Sequence, residues 1–278
     1  MGKILFHQSV VALFALGGIL TVTSWINFVF DRELDAFAGE DVSFFKHIPP
    51  REMMLCSLLL STVSLILLLY LNYLIFLSGL LILVVGILYS VPPIRLKTHP
   101  PLDCVANALE FGILPVFMGF MLLREYVIST QLLVLAAVAG LIVTTYYLFI
   151  GVLDIETDRK YGIKTSCTLL GSNQTINTGL TMFFLSLLAS ATSFGLLSPV
   201  TVSLLLCSPL VVTIKIKTGY ATLAKTLSLI SLVWTESILL ILFILSHSIL
   251  PIAMFILVLM AALYFVHVYF TIKKVERI

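Results

Sequence analysis

Long apolar stretches separated by short polar segments occupy almost the whole chain. A helix needs about 20 apolar residues to cross roughly 30 Å of hydrocarbon. Two of the runs, 53–90 and 176–217, are long enough for two crossings each, and polar or helix-breaking residues divide them near Asn72 and Pro199. The pattern therefore predicts nine membrane-spanning helices, at 4–30, 53–71, 73–90, 104–123, 127–153, 176–197, 199–217, 222–246 and 250–272.

Composition supports a membrane protein and excludes two other classes. Of the 278 residues, 60% are hydrophobic and 11% are charged, less than half the share of about 25% in soluble domains. A chain with so few charged residues does not have enough polar groups to cover the surface of a soluble protein. Its high apolar content is also not typical of a disordered protein. We expect a single all-α domain over residues 1–278, a polytopic helical membrane protein whose surroundings are membrane lipid.

The basic residues predict the orientation of these spans. When the loops are assigned alternately to the two sides, 14 of the 16 Lys and Arg fall on one side, and only Lys3 and Arg124 fall on the other. The positive-inside rule then places the amino terminus outside the cell membrane and the carboxyl terminus in the cytoplasm. The net charge of +2 gives no indication of a nucleic-acid partner.

Carboxylates gather on the predicted cytoplasmic side, where two spans end. Asn27, Asp31 and Asp35 are spaced i, i+4 and i+8, and Asp154 and Asp158 are spaced i and i+4, so each set shares a helix face. Mg²⁺ prefers oxygen ligands and is often shared between one or two carboxylates and a substrate phosphate. One such stripe alone is more simply a solvated helix end. Two stripes on one membrane face favour a divalent-cation site.

Basic residues accompany both carboxylate stripes. Arg95 and Lys97 follow two prolines in the segment 89–97, YSVPPIRLK, and Arg159 and Lys160 follow Asp158 directly. Guanidinium and ammonium groups beside metal-binding carboxylates are the combination that a diphosphate requires. An ordinary positive-inside loop is the alternative for either basic pair taken alone.

Together these segments resemble the UbiA superfamily of intramembrane prenyltransferases. The family motif Asn-Asp-x-x-Asp-x-x-x-Asp is similar to residues 27–35, NFVFDRELD, and the motif Asp-x-x-x-Asp is similar to residues 154–158, DIETD. The intervening Tyr-Ser-x-Pro-Pro-x-Arg-x-Lys loop is matched at 89–97. Residues 90–107 look most like the lycopene elongase-like, carotenoid branch, and the lipid-forming digeranylgeranylglyceryl phosphate synthases are also similar.

The chain departs from the family pattern in three places. Phe28 stands where the first motif has an Asp, which removes a carboxylate from the expected metal cluster. Family members usually have a whole span before the one that carries the first motif, but only 26 residues precede Asn27 in this chain. Four predicted spans follow the second motif, where three are usual.

The resemblance implies Mg²⁺-dependent transfer of a prenyl group from a polyprenyl diphosphate to an apolar acceptor such as a carotenoid, a lipid or a quinone precursor. It implies a UbiA-like bundle with the active site at the cytoplasmic helix ends and with Asp31 and Asp154 as catalytic residues. The expected metal ligands are Asn27, Asp31, Asp35, Asp154 and Asp158. The expected substrate-binding residues are Arg95, Lys97, Asn107, Tyr146, Arg159 and Lys160.

Other interpretations stay open from the sequence. In one interpretation a carbocation is stabilised by the aromatic side chains of Tyr146, Tyr147 and Phe149. In the other, these side chains only pack against neighbouring helices. Glu110, within a predicted span, binds the acceptor or orients Asn107, or is simply paired within the protein. Phe28 motivates a catalytically degenerate protein that binds isoprenoid lipid. A small transporter is a further alternative, although transporters place such charges near the midplane rather than at one surface.

Overall fold

A computed structural model describes residues 6–38, 47–122, 128–198, 200–205 and 207–208 of the chain. Within this part, six helices are long and apolar enough to cross a membrane. The protein is therefore an all-α, multi-pass membrane protein, as the sequence predicts. The helices are α1, Phe6–Ala38; α2, Pro50–Leu71; α3, Tyr73–Ser90; α4, Leu102–Leu122; α5, Thr130–Lys160; and α6, Ser166–Phe194.

Local chemistry divides the longest apolar run where the sequence suggests. Asn72 is extended, and its side-chain oxygen accepts a hydrogen bond of 2.7 Å from the backbone N–H of Leu74. This bond satisfies one of the free N–H groups at the start of α3. The predicted spans 53–71 and 73–90 are confirmed as α2 and α3.

The sixth helix begins ten residues earlier than the predicted span 176–197. Thr165 and Thr168 form a capping box, in which each side chain accepts from the backbone N–H of the other residue. The first turns of this helix are polar, so a search for apolar stretches does not find them. The capping residues nevertheless start the helix there. Gly171 then interrupts the helical backbone with a φ of +73°, which glycine adopts without a steric cost. The predicted spans 222–246 and 250–272, and most of 199–217, lie outside the described residues.

Two apolar clusters hold the bundle together. One joins α1, α2 and α3 through buried side chains such as Ile19, Leu68 and Ile82. The other joins α5 and α6 through Phe149 and Phe183. Lipid is as apolar as these side chains, so close packing rather than burial from water stabilises the contacts.

Small residues allow the helices to approach closely. A Cβ added to Gly86 of α3 would lie 2.2 Å from the Thr23 side chain, and one added to Gly179 of α6 would lie 2.5 Å from the Phe149 ring. Neither position has room for a larger residue. The contacts therefore fix α3 against α1 and α6 against α5.

The alternation of the helices brings three polar segments to one membrane face. The carboxyl-terminal ends of α1, α3 and α5 share this face, because antiparallel spans reverse direction at each loop. The connections 91–101 and 161–165 lie on the same face. Within the described residues, the motifs at 27–35, 89–97 and 154–158 therefore converge.

Candidate functional site

A cavity of about 200 Å³ opens at this face, between α1, α3 and α5. Its wall combines charged and amide side chains with two tyrosines and apolar groups. The lining residues are Asn27, Asp31, Tyr89, Lys97, Tyr147, Ile150, Gly151, Asp154, Thr157, Asp158, Ile163, Thr165 and Cys167. Four of the residues singled out for metal binding, Asn27, Asp31, Asp154 and Asp158, therefore surround one cavity.

Lys97 connects both first-motif residues on the α1 side. Its Nζ donates to Asn27 Oδ1 over 2.9 Å and forms an ion pair with Asp31 Oδ2. Ser90 Oγ also donates to Asn27 Oδ1, over 3.0 Å. The Asp31 side chain is only 7% exposed and the Lys97 side chain 11%, so this ion pair is largely withdrawn from water. Burial of this kind makes the loss of either partner costly.

Arg95 completes the pairing of Asp31 from a strained backbone position. Its Nη2 lies 2.7 Å from Asp31 Oδ1. Its φ of +41° and ψ of +61° are left-handed, a conformation that a residue with a Cβ rarely adopts. The loop is held by hydrogen bonds from Arg95 N to Val91 O and from Thr98 N to Arg95 O, of 3.0 and 2.9 Å. Such strain persists where the surroundings over-determine it, often at functional sites.

The Nε of Arg95 is buried and has no hydrogen-bond partner within the described part of the chain. A buried donor without an acceptor costs roughly 1–3 kcal/mol. The Nη2 of the same guanidinium already faces a carboxylate. The Nε therefore has unused donor capacity among the described residues, although Arg95 is not one of the residues that line the cavity.

The second motif supplies the facing wall. Asp154 and Asp158 lie one turn apart on α5, and both line the cavity. Asp158 Oδ2 accepts a hydrogen bond of 3.3 Å from Thr165 Oγ1. Because Thr165 is also the cap of α6, the start of that helix and the carboxylate are positioned together.

Among the basic candidates, Lys97 lines the cavity, whereas Arg95, Arg159 and Lys160 are not among its lining residues. Arg159 is exposed, and its Nη2 donates over 3.1 Å to the carbonyl of Thr168 on α6. Lys160 is exposed as well, with Nζ 5.5 Å from the centre of the Tyr161 ring. Neither contacts the groups around Asp31 in this arrangement.

Tyr146 and Asn107 also lie outside the cavity lining. Tyr146 is 36% exposed, whereas its neighbour Tyr147 lines the wall. Asn107 donates through Nδ2 to the carbonyl of Asp103 over 2.9 Å. Asp35 lies one turn beyond Asp31 on α1.

Asp103 and Ser166 are structural participants that the motif search missed. Asp103 is fully buried and accepts hydrogen bonds from Tyr147 and Ser166. The signal in the sequence was weak, a single Asp at the end of the predicted loop, one residue before the predicted span 104–123. Its importance depends on contacts with residues 44 and 63 positions away.

The carboxylate and amide oxygens that line the cavity are ligands of the kind that Mg²⁺ prefers. Within the described ranges, no three Asp, Glu, His or Cys side chains converge as a complete metal-binding group. Mg²⁺ does not require one, because it keeps several waters and commonly takes one or two carboxylates together with substrate phosphates. Asp154 and Asp158 on one wall, with the Asn27 amide opposite, are oxygen donors of the suitable kind.

Taken together, the fold and the cavity define a class: a polytopic helical membrane protein with a cavity at one membrane face that charged, amide and aromatic side chains line. The chain belongs to the UbiA prenyltransferase family, which it matches over residues 2–221.

Solved structures share this fold at low sequence identity. A UbiA homologue from Archaeoglobus fulgidus bound to GPP and Mg²⁺ is 20% identical, with a TM-score of 0.61 over 97% of this chain and 89% of that chain. An apo UbiA homologue from Aeropyrum pernix K1 is 16% identical, with a TM-score of 0.67 over 85% of this chain and 90% of that one. The UbiA-like fold expected from the motifs is therefore confirmed.

The similarity to a particular branch is partial. A lycopene elongase/hydratase of Haloarcula japonica is 37% identical over 87 residues. That alignment covers 31% of this chain and 28% of the relative's length. The carotenoid-branch resemblance is thus a distant likeness over a limited segment.

Phe28→Asp, which restores the family carboxylate, is expected to leave prenyl transfer within about threefold of the parent. Phe28 follows Asn27 by about 100° around α1, and it is a partly buried residue outside the cavity lining. Because the Phe28 side chain does not line the cavity, a carboxylate at this position is expected to stay outside it. Steady-state transfer with each protein reconstituted in nanodiscs measures this. A gain of tenfold or more would show that the missing carboxylate limits the site.

Proposed function

We propose that the protein is a Mg²⁺-dependent prenyltransferase of the cell membrane, with Asp31 and Asp154 as catalytic residues. It transfers a prenyl group from a polyprenyl diphosphate to an apolar acceptor. The observation that carries the proposal is the facing pair of walls: Lys97 contacts Asn27 and Asp31, and Arg95 also pairs with Asp31, while Asp154 and Asp158 line the same cavity from α5. Cations and metal-binding carboxylates around one cavity are complementary to a diphosphate.

Asp154 and Asp158, with Asn27, are the residues that would hold Mg²⁺, and Asp31 and Asp35 would assist from α1. When bound, Mg²⁺ supplies Lewis-acid stabilisation of the departing diphosphate. Lys97, which lines the cavity, and Arg95, whose Nε has no partner among the described residues, are the proposed direct contacts to diphosphate oxygens. Arg159 and Lys160 then act from the rim, as charges that attract the donor electrostatically.

The reaction follows from these contacts. The allylic C–O bond breaks, its electron pair leaves with the diphosphate, and the prenyl carbocation is attacked by an electron pair of the acceptor. A proton lost from the acceptor completes the transfer. Three further side chains continue the cavity wall and exclude water: Tyr89, Tyr147 and Ile150. The two tyrosines also place π faces near the cation.

The relatives support the choice of donor and suggest an acceptor. The Archaeoglobus fulgidus homologue binds GPP and Mg²⁺, which are ligands of the proposed kind. The partial similarity to a lycopene elongase/hydratase favours a long polyene hydrocarbon as acceptor. The 14 basic residues assigned to one side support a cytoplasmic position for the site, with the amino terminus outside.

The full chain in lipid nanodiscs, incubated with radiolabelled geranylgeranyl diphosphate, Mg²⁺ and a lipid extract, is expected to release diphosphate and form a labelled apolar product. Removal of Mg²⁺ with EDTA should lower the rate at least about 100-fold, since the charge of the leaving group is then uncompensated. Re-addition of Mg²⁺ should restore it. If the protein binds prenyl diphosphates tightly but transfers no prenyl group, whatever the chain length of the diphosphate and whatever the acceptor, it is instead a lipid-binding protein without catalysis.

A further inference from the structure

Asp103 is a buried carboxylate that the proposed diphosphate site does not use. It lies at the start of α4, is 0% exposed and is not part of the cavity lining. Burying a carboxylate is costly unless hydrogen bonds or counter-charges compensate for it. Among the described residues, the ion pairs all involve Asp31, so hydrogen bonds must stabilise Asp103.

Three donors converge on the two oxygens of Asp103. The Tyr147 hydroxyl donates to Oδ2 over 2.9 Å, and the backbone N–H of Ser166 donates to the same oxygen over 2.6 Å. The Ser166 hydroxyl donates to Oδ1 over 2.5 Å. These are short, charge-assisted bonds, and the first turn of α6 adds its positive helix end. Asp103 thereby joins three helices, α4, α5 and α6.

Both partners of Asp103 lead to the cavity. Tyr147 lines it directly, seven residues and thus about 10 Å along α5 from Asp154. Ser166 follows Thr165, which lines the cavity and donates to Asp158. One carboxylate therefore fixes an aromatic ring at the deep end of the cavity and a carboxylate-bearing wall at its mouth.

We propose that Asp103 is a positioning residue for prenyl transfer: through Tyr147 it holds an aromatic face beside the reacting carbon, and through Ser166 it holds Thr165 against Asp158. The proposal rests on the transferase function argued above. A phenol that donates to a carboxylate has a more electron-rich ring, which strengthens its attraction for a carbocation. The same bond occupies the hydroxyl proton and fixes the orientation of the ring before the cation forms.

The test uses Asp103→Asn, Tyr147→Phe and the double variant, each as the full chain in nanodiscs. Asn keeps one acceptor oxygen and replaces the other with an NH₂ donor, so the exchange removes the negative charge that strengthens all three hydrogen bonds and reverses the direction of the bond with the Ser166 hydroxyl. Asp103→Asn is expected to lower kcat about 100-fold and to leave the KM for the prenyl diphosphate within about threefold. Tyr147→Phe, which keeps the ring, is expected to lower kcat about tenfold. Because Asp103 acts partly through Tyr147, the double variant should lie within about twofold of Asp103→Asn rather than multiply both losses.

A second readout does not need turnover. Cys167 is 1% exposed and follows Ser166, so its rate of alkylation by N-ethylmaleimide reports how firmly the start of α6 is held. Mass spectrometry should find this rate at least about fivefold higher in Asp103→Asn, with exposed Cys56 as the internal reference. An unchanged Cys167 rate overturns the link to α6.

The remaining outcomes separate the two proposals. If the parent protein transfers no prenyl group from any prenyl diphosphate, the proposed transferase function is wrong. The alkylation rate of Cys167 then still decides whether Asp103 holds α6. An active parent whose Asp103→Asn variant keeps its kcat contradicts only the positioning role. Multiplicative losses in the double variant, or a Tyr147→Phe variant with unchanged kcat, overturn the link through Tyr147. This last variant leaves the Ser166 contacts intact and serves where Asp103→Asn folds poorly.

Discussion

Asp154→Asn and Asp31→Asn should each lower Mg²⁺-dependent prenyl transfer about 1000-fold. The two residues stand on opposite walls of the cavity, and each would lose its negative charge with almost no change in shape. Asp154→Asn weakens the proposed metal site, and Asp31→Asn breaks the largely buried pairs with Lys97 and Arg95. Both changes remove stabilisation that would grow as the charged diphosphate departs. A thousandfold loss corresponds to about 4 kcal/mol of transition-state stabilisation. Release of labelled diphosphate at saturating donor measures the effect.

Glu156→Gln provides a matched control on the same helix. Glu156 lies between Asp154 and Asp158 but is exposed and is not part of the cavity lining. The exchange removes the same unit of charge from the same turn of α5, and it should leave the rate within about twofold. Equal losses in Asp154→Asn and Glu156→Gln would mean that general surface charge, rather than the cavity, controls the reaction.

Lys97→Gln is expected to lower kcat/KM for the donor about 100-fold. Lys97 holds Asn27 and Asp31 together from a position that is only 11% exposed. Its removal leaves a buried carboxylate with Arg95 as its remaining described ion-pair partner, and it also deletes a proposed diphosphate contact. Loss of one member of such a buried pair costs about 3 kcal/mol, which corresponds to the expected factor. Initial rates at subsaturating donor, together with a direct binding isotherm for the donor, measure it.

Lys164→Gln separates a local contact from net charge. Lys164 follows α5 on the same membrane face, is exposed and lies outside the cavity lining. Its loss should change kcat/KM less than threefold at 0.15 M salt, where the screening length is about 8 Å. Comparable losses in the two variants would show that Lys97 acts only through the general positive potential. Lys97→Arg should restore only part of the rate, because a planar guanidinium does not reproduce a point ammonium between two oxygens.

Several features of the fold were readable from the chain. The apolar stretches predicted α2 and α3 with the correct division at Asn72, because an extended residue with a capping amide ends one helix and starts the next. They failed at the start of α6, where ten mostly polar residues, 166–175, precede the apolar part of the helix. Capping by Thr165 depends on side-chain oxygens rather than on hydrophobicity, so an average of hydrophobicity along the chain does not detect it.

The candidate site divides in the same way. Periodicity places Asp154 and Asp158 on one face of α5, because residues four apart are neighbours on any α-helix. It does not say how α5 is rotated against its neighbours. That rotation directs Tyr147 rather than Tyr146 into the cavity, and it directs Arg159 toward α6.

By itself, the sequence determined a multi-pass helical membrane protein with three polar motifs at one membrane face. Those conclusions follow from hydrophobic length, charge distribution and helix period, which are local properties of the chain. Only the tertiary structure decided that Lys97 joins Asn27 to Asp31 and that Asp103 joins Tyr147 to Ser166. These pairs are separated by 44 to 70 positions. Side chains so far apart meet only when the packing of whole helices fixes their positions, so no local pattern specifies which of them pair.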